Sequence, residues 1–333
     1  MDLMTRIVLS LPGFALNSMA KGPIKLESGR VMDPQFALIT YQGNQAPPLH
    51  TLPLDEARAT YLELVNAIGG EAKLMQEIVD MKLGSVPVRR YIPHNLSRPA
   101  PALMYIHGGG FTIGDLETHH VLCTYLAQGA GAAVYSVDYR LAPEHPYPAA
   151  VDDCREAWIA LNEMAGEENL DPARIAVGGD SAGGNLSTVL SQLALSEGFA
   201  APAAQLLIYP AVDLMPDNLS MRECAEGFAL TRDGMDWFFS NYTKDVENPS
   251  ELTSMIPIRN KLDGLAPAIV ITAGFDPLRE EGEQYAKALE AAGVKTRFRE
   301  HPDMPHAFAQ MIGLNQGRRA VEQMAADLRE FLS

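Results

Sequence analysis

Residues 177–184 read Val177-Gly178-Gly179-Asp180-Ser181-Ala182-Gly183-Gly184, and no other stretch limits the possible folds of this chain so strongly. Ser181 stands between close glycines, after an apolar run and before a stretch of helix formers. A G-x-S-x-G string in that setting predicts a strand, a sharp turn and a helix, with the serine Oγ raised at the apex. Glycine is needed on both sides because a Cβ there would meet the turned backbone, and the serine itself takes a strained conformation. The pentapeptide alone is a modest signal. It gains weight from His107-Gly108-Gly109-Gly110 upstream, and from an aspartate and a histidine downstream in the order such a turn requires.

A chain of 333 residues, 47% of them hydrophobic, can bury a sizeable core, and a single elaborated α/β domain is expected. With 42 acidic against 26 basic residues the net charge is -16, which argues against nucleic acid or an anionic membrane as partner. Cys123, Cys154 and Cys224 lie far apart without a C-x-x-C pair. They indicate neither a disulfide framework nor a zinc site, and they point to a reduced, cytoplasmic setting. The apolar stretch 7–16 has the look of a secretory core. Asp2 weakens its basic start, Pro12 and Gly13 interrupt it, and no small-residue cleavage pattern follows. No run reaches the ~18 to 20 apolar residues of a membrane-spanning helix, so a soluble chain is expected.

Residues 1–80 are set apart: a poorly periodic start, a loop over 41–48, then a helix over 54–68. In that helix Ala57, Tyr61, Leu62, Leu64, Val65 and Ile68 recur at steps of three and four. From Val86 strands alternate with helices. The strand candidates are 86–92, 102–106, 133–137, 175–177, 205–209, 268–272 and 296–301. The later ones are short, apolar and separated by helical patterns, which predicts crossover units and a mostly parallel sheet covered on both faces. The interval 210–267 breaks this rhythm. It has no clear strand and holds Met215, Met221, Phe228, Met235, Trp237, Phe238, Phe239, Tyr242 and Met255. So long an excursion reads as an inserted cap, with those side chains forming either the cap's own core or the wall of a pocket.

At Ser181 the order of strand, turn and helix places the amide of Ala182 at a helix N-terminus, where negative charge is favoured. The competing reading is a buried serine cap on a glycine-rich helix. Three glycines after His107 leave backbone amides uncovered, and two of them with that of Ala182 would bind a tetrahedral oxyanion, each donor worth on the order of 3 kcal/mol. A phosphate cradle fails on detail, because Ile113 occupies the last glycine position and Gly114 is followed by Asp115 instead of lysine. His107 is expected to orient the loop. A serine hydroxyl needs a base, and the base needs a carboxylate to orient it. His301 and His306 are the late histidines; His306 is preferred because it lies in the loop 303–308, whereas His301 ends a strand pattern. Asp276, just past the strand 268–272, is preferred as the acid over Glu280 and Asp303. The adjacent His119 and His120 would point about 100° apart on a helix, a poor arrangement for one metal. Asp138, Arg140 and Glu144 are expected to brace the glycine loop, and Asp180 to point away from Ser181 in a structural role.

With these residues assembled, the chain resembles the hormone-sensitive-lipase-like branch of the α/β-hydrolases, the bacterial family IV esterases. The matching strings are His107-Gly108-Gly109-Gly110-Phe111, Asp138-Tyr139-Arg140-Leu141-Ala142-Pro143-Glu144, Gly179-Asp180-Ser181-Ala182-Gly183-Gly184-Asn185, Asp276-Pro277-Leu278-Arg279 and Met304-Pro305-His306. The resemblance covers the chain from about residue 32 to its end. The resemblance implies an α/β-hydrolase fold: a mostly parallel eight-stranded sheet flanked by helices, over 81–210 and 263–333, with a helical cap from 1–80 and 211–262. It implies a serine carboxylesterase without metal or cofactor, with Ser181 as nucleophile, His306 as base and Asp276 as acid. The oxyanion hole would comprise Gly108, Gly109, Gly110 and Ala182, with Gly108 making the bend that leads to the other amides. The expected substrates are short- to medium-chain acyl or aryl esters. An amidase, formamidase or carbamate hydrolase would use the same triad, a lyase would use the same amides, and a non-catalytic receptor would lack the late histidine. The edge strand 296–301, and the habit of related enzymes, suggest a homodimer. Two departures stand out: Ala307 occupies a position where the family usually has glycine, and the first ~30 residues exceed the family's usual start.

Overall fold

The computed structural model describes residues 3–213, 216–249, 252 and 255–333, so Met215 lies outside the described residues. The apolar runs at the middle of the chain are buried on both faces, as strands between two helical layers must be. Every residue of β3 (Ala100–Ile106), β4 (Ala133–Val137), β6 (Gln205–Ile208) and β7 (Ala268–Phe275) is buried. Together with β1 (Glu77–Leu83), β2 (Val86–Ile92), β5 (Leu170–Asp180) and β8 (Thr296–Pro305) they form one eight-stranded sheet in the order β1-β2-β4-β3-β5-β6-β7-β8. The pairs β1·β2 and β2·β4 are antiparallel, and all pairs from β4·β3 to β7·β8 are parallel.

Alternate side chains of each central strand enter opposite layers. Leu103 and Tyr105 of β3 pack with α5 (His120–Ala130) and α11 (Asn315–Phe331). Ala102, Met104 and Ile106 pack with α6 (Ala149–Glu163) and α7 (Ala182–Glu197). Under β6 and β7 the second layer continues with α10 (Arg279–Ala291), through Tyr285, Ala286 and Leu289. Cys123, Cys154 and Cys224 are buried and unpaired in these layers.

Strand β1 has no counterpart among the sequence candidates. It is an edge strand with only Leu83 buried, and Ile78 and Val79 face solvent, so the alternation that marks a half-buried strand is missing. It forms by hairpin from β2 across Gly84-Ser85, where Gly84 takes φ +61. The sheet therefore begins at Glu77, inside the segment 1–80 expected to be cap.

The N-terminal region holds α1 (Leu3–Leu9), α2 (Gly13–Met19), α3 (Pro34–Gly43) and α4 (Leu54–Ile68). Helix α3 runs through 41–43, which the sequence suggests as loop; Asp33 caps it by accepting from Gln35 N, and Pro34 opens its first turn. Helix α4 has the expected bounds, although Leu64 turns out to face solvent. Leu9, Leu16 and Leu26 join the core, while Met4, Ile7 and Phe14 remain exposed. The interval 210–267 contains α8 (Leu219–Glu223) and α9 (Arg232–Tyr242) and, among the described residues, no strand. Among the described residues no helix is long and apolar enough to cross a membrane.

Candidate active site

Strand β5 ends at Asp180 and α7 begins at Ala182, which leaves Ser181 alone at the turn with φ 55° and ψ -117°. Positive φ is costly for a residue with a side chain, and the surrounding contacts hold it there. A Cβ on Gly179 would lie 2.2 Å from Ile106 O, and one on Gly183 only 1.9 Å from the same oxygen. The glycine spacing is thus a packing requirement imposed by the end of β3.

Ser181 Oγ lies 3.0 Å from His306 Nε2, and His306 Nδ1 donates to Asp276 Oδ2 at 2.7 Å. Asp276 is fully buried, and its other oxygen accepts from Leu278 N at 2.8 Å. With Nδ1 committed as a donor, Nε2 is the nitrogen that can take the serine proton. The alternatives lie elsewhere. His301 sits within β8 against Phe308, and burial pushes its pKa down to about 4. Glu280 accepts from Leu219 N, and Asp303 O accepts from Asp33 N. Directly after His306, Ala307 takes the left-handed conformation with φ 63°. The departure from glycine is therefore felt as backbone strain.

Gly109 and Gly110 have φ +113° and +57°. A Cβ would fall 2.1 Å from Ile113 O at Gly109 and 2.1 Å from Phe238 Cγ at Gly110. Both residues and Ala182 line a cavity of about 160 Å³ above Ser181. Gly108 does not, which corrects its place in the expected oxyanion set: its amide donates to Asp180 Oδ1 at 2.9 Å and turns away from the cavity. Asp180 also accepts from Tyr105 OH at 2.6 Å. Burial pushes this carboxyl up, but His119, Tyr105 and the Gly108 amide more than offset it and hold it below the usual range.

His107 is buried and stacked on Tyr139, whose hydroxyl donates to His107 O at 2.8 Å. Burial and the neighbouring His119 push its pKa down to about 4, so it stays neutral and donates from Nδ1 to Gly108 O. Of the three residues expected to brace this loop, only Glu144 does so, and indirectly. It pairs with Arg58 at 2.7 Å, and Arg58 donates to Thr112 O and Ala142 O. Arg140 instead grips Asp153 on α6 at 2.7 Å, and the Asp138 amide donates to Pro87 O in β2. His119 faces Asp180 and His120 faces Tyr91 OH, so the adjacent histidines diverge.

The cavity is walled by Met235, Phe238, Phe239 and Tyr242 of α9 on one side and by Leu49 and Tyr61 on another. The apolar residues of 210–267 thus divide between two tasks. Met221 and Cys224 are core, Phe228 packs on Phe275, and the α9 aromatics face the pocket. Sequence reasoning did not find Arg58 or Gln310 as neighbours of the site. Each is a single polar residue with no motif around it.

A family model described as alpha/beta hydrolase fold matches residues 103–310. The chain is 37% identical over 338 residues to the carboxylic ester hydrolase LipN of Mycobacterium tuberculosis, covering 97% of this chain and 89% of that protein. An ethyl acetate hydrolase of Pseudomonas putida is 37% identical over 272 residues, with 79% and 86% covered. The solved structure of a hyperthermophilic esterase from the archaeon Pyrobaculum calidifontis superposes with a TM-score of 0.83 at 34% identity, covering 92% of this chain and 99% of that one.

Proposed function

Because this chain belongs to the alpha/beta hydrolase fold family, in its hormone-sensitive-lipase-like branch, we propose that it hydrolyses carboxylic esters through an acyl-enzyme on Ser181. The observation that carries the reading is the unbroken line from Asp276 through His306 to Ser181, at 2.7 and 3.0 Å, ending beneath a cavity that Gly109, Gly110 and Ala182 line. Ser181 attacks the ester carbonyl as His306 Nε2 takes its proton. The carbonyl oxygen gains charge and is met by the three amides, the last at the N-terminus of α7. His306 then protonates the leaving alcohol, water attacks the acyl-enzyme by the same route, and Asp276 stays ionised against the imidazolium.

The cavity supports short- to medium-chain acyl or aryl esters as substrates. At about 160 Å³ it compares with engineered apolar cavities of ~150 Å³ that admit benzene. Its wall from α9, formed by Met235, Phe238, Phe239 and Tyr242, offers apolar surface to the acyl chain. In this reading α4, α8 and α9 serve as the cap. Hydrolysis of a p-nitrophenyl ester series from acetate to palmitate, with an anilide control, tests the proposal. Activity is expected to peak at acetate to hexanoate; activity on palmitate alone would reject the substrate class, and faster cleavage of the anilide would make the enzyme an amidase.

A further inference from the structure

One turn of α4 touches both loops that flank Ser181. Arg58 and Tyr61 are three residues apart and so share a helical face. Arg58 Nε donates to Thr112 O at 3.0 Å, in the loop that carries Gly109 and Gly110. Tyr61 OH donates to Gln310 Oε1 at 2.8 Å. Gln310 ends the single 3-10 turn Phe308–Gln310 that follows the base, and its amide N donates to Ala307 O at 3.1 Å. Its side-chain Nε2 lies 2.9 Å from His119 Nε2. His119 Nε2 is in turn 3.2 Å from Asp180 Oδ1, the oxygen that accepts from Gly108 N. A polar path therefore runs from the helix over the cavity to the peptide that leads into Gly109. Gln310, His119 and Asp180 are 4%, 0% and 2% exposed, so a broken link leaves a buried polar atom unpaired.

Glutamine suits the junction chemically. His119 Nε2, a single donor or acceptor site, lies between Gln310 and Asp180. A primary amide has both a donor and an acceptor end, so it meets the Tyr61 hydroxyl and the His119 ring nitrogen together, and no apolar side chain of similar size meets either.

We propose that Gln310 is a positioning residue that couples the seating of α4 over the cavity to the alignment of the Gly109 and Gly110 amides, with Tyr61 as its contact on the helix. The inference rests on the ester-hydrolase reading, because those amides matter only where an oxyanion forms. Helix α4 keeps a second tether, Gly313 N donating to Ile68 O at 2.9 Å, so loss of one hydroxyl does not unseat it.

The test uses the full chain with Gln310→Leu and Tyr61→Phe, singly and together. kcat and KM for a p-nitrophenyl butyrate, thermal unfolding, and the rate of labelling by a fluorophosphonate are read in parallel. Gln310→Leu is expected to lower kcat and labelling by about tenfold to a hundredfold, with KM changed less than about threefold. Tyr61→Phe moves kcat in the same direction by a smaller factor, and the double variant is no worse than Gln310→Leu, since both act through one amide. An unchanged kcat in both variants, even with a lower unfolding temperature, overturns the proposal. So do losses that multiply in the double variant, or a change confined to KM. If instead the unaltered chain neither cleaves the ester nor takes the label, the ester-hydrolase reading itself has failed.

Discussion

Around Ser181 the backbone of β3 comes within 2.2 Å of where a Cβ on Gly179 or Gly183 would sit, whereas across the cavity α9 offers Met235, Phe238 and Phe239 as half-buried side chains. The floor is held by close approach of main chains, so its residue types are dictated atom by atom. The roof is held by side-chain packing, which many apolar residues of similar volume satisfy. Reaction type should therefore be sensitive to single atoms of the floor, and substrate range to volumes in the roof.

The largest effect that would sharpen this contrast is at the floor. Ser181→Ala is expected to cut kcat by about a millionfold with the fold intact, and steady-state assay beside circular dichroism checks it. A roof substitution with a comparable loss would break the comparison. Glu281, on α10, lies at the joint between the two regions: its carboxyl accepts from Val212 N at 2.8 Å and Asp213 N at 3.2 Å where β6 passes into the interval 210–267. Burial pushes its pKa up from 4.5 to about 8, beyond what these amides offset. Between those two values the native state keeps a proton that the unfolded chain has released. Stability from neutral Glu281 is therefore full below pH 4.5 and falls, by up to a few kcal/mol, as pH rises to about 8. Glu281→Gln should flatten this fall when urea unfolding is compared at pH 5 and pH 8. An identical slope in the variant would assign the fall to another group.

In the roof, Phe238→Ala removes the ring that lies over the Gly110 Cα. The ratio of kcat/KM for octanoate over acetate should rise by about tenfold, with the acetate rate within a small factor of its starting value. A shift in kcat for every ester alike would instead place Phe238 with the floor. The smallest effect is at Ala307, whose φ of 63° a glycine adopts without penalty. Ala307→Gly should raise stability by about 0.5 to 1 kcal/mol, seen as a gain of roughly 2 °C in Tm. No gain would mean that the base loop holds this conformation without strain.

The same contrast explains what could be read from the sequence. The strings around Ser181, Gly109 and His306 were legible because a backbone contact within 2.2 Å admits only glycine, and because the acid and base must follow the serine at strand ends. The central strands were legible as continuous apolar runs. Gly108 was misplaced because a string cannot tell an amide aimed at a cavity from one donating to Asp180. Arg140 was assigned to the wrong loop for a similar reason: its partner, Asp153, lies on a helix that the motif does not include. Strand β1 stayed hidden because an edge strand with only Leu83 buried has no pattern to show. In the roof, the apolar excess of 210–267 suggested a cap, but which side chains face the cavity depends on the rotation of α9, and only the fold sets that.

The separation in sequence between the serine and its base has a consequence for how the protein is made. Ser181 precedes His306 by 125 residues, and Tyr61 precedes Gln310 by 249. At ~5 to 20 residues per second, a ribosome needs on the order of ten seconds to travel from the nucleophile to the base. On the proposed reading, the nascent chain carries its nucleophile without its base during that time. Synthesis of the nucleophile and onset of its chemistry are therefore, on that reading, separate events in the making of the chain.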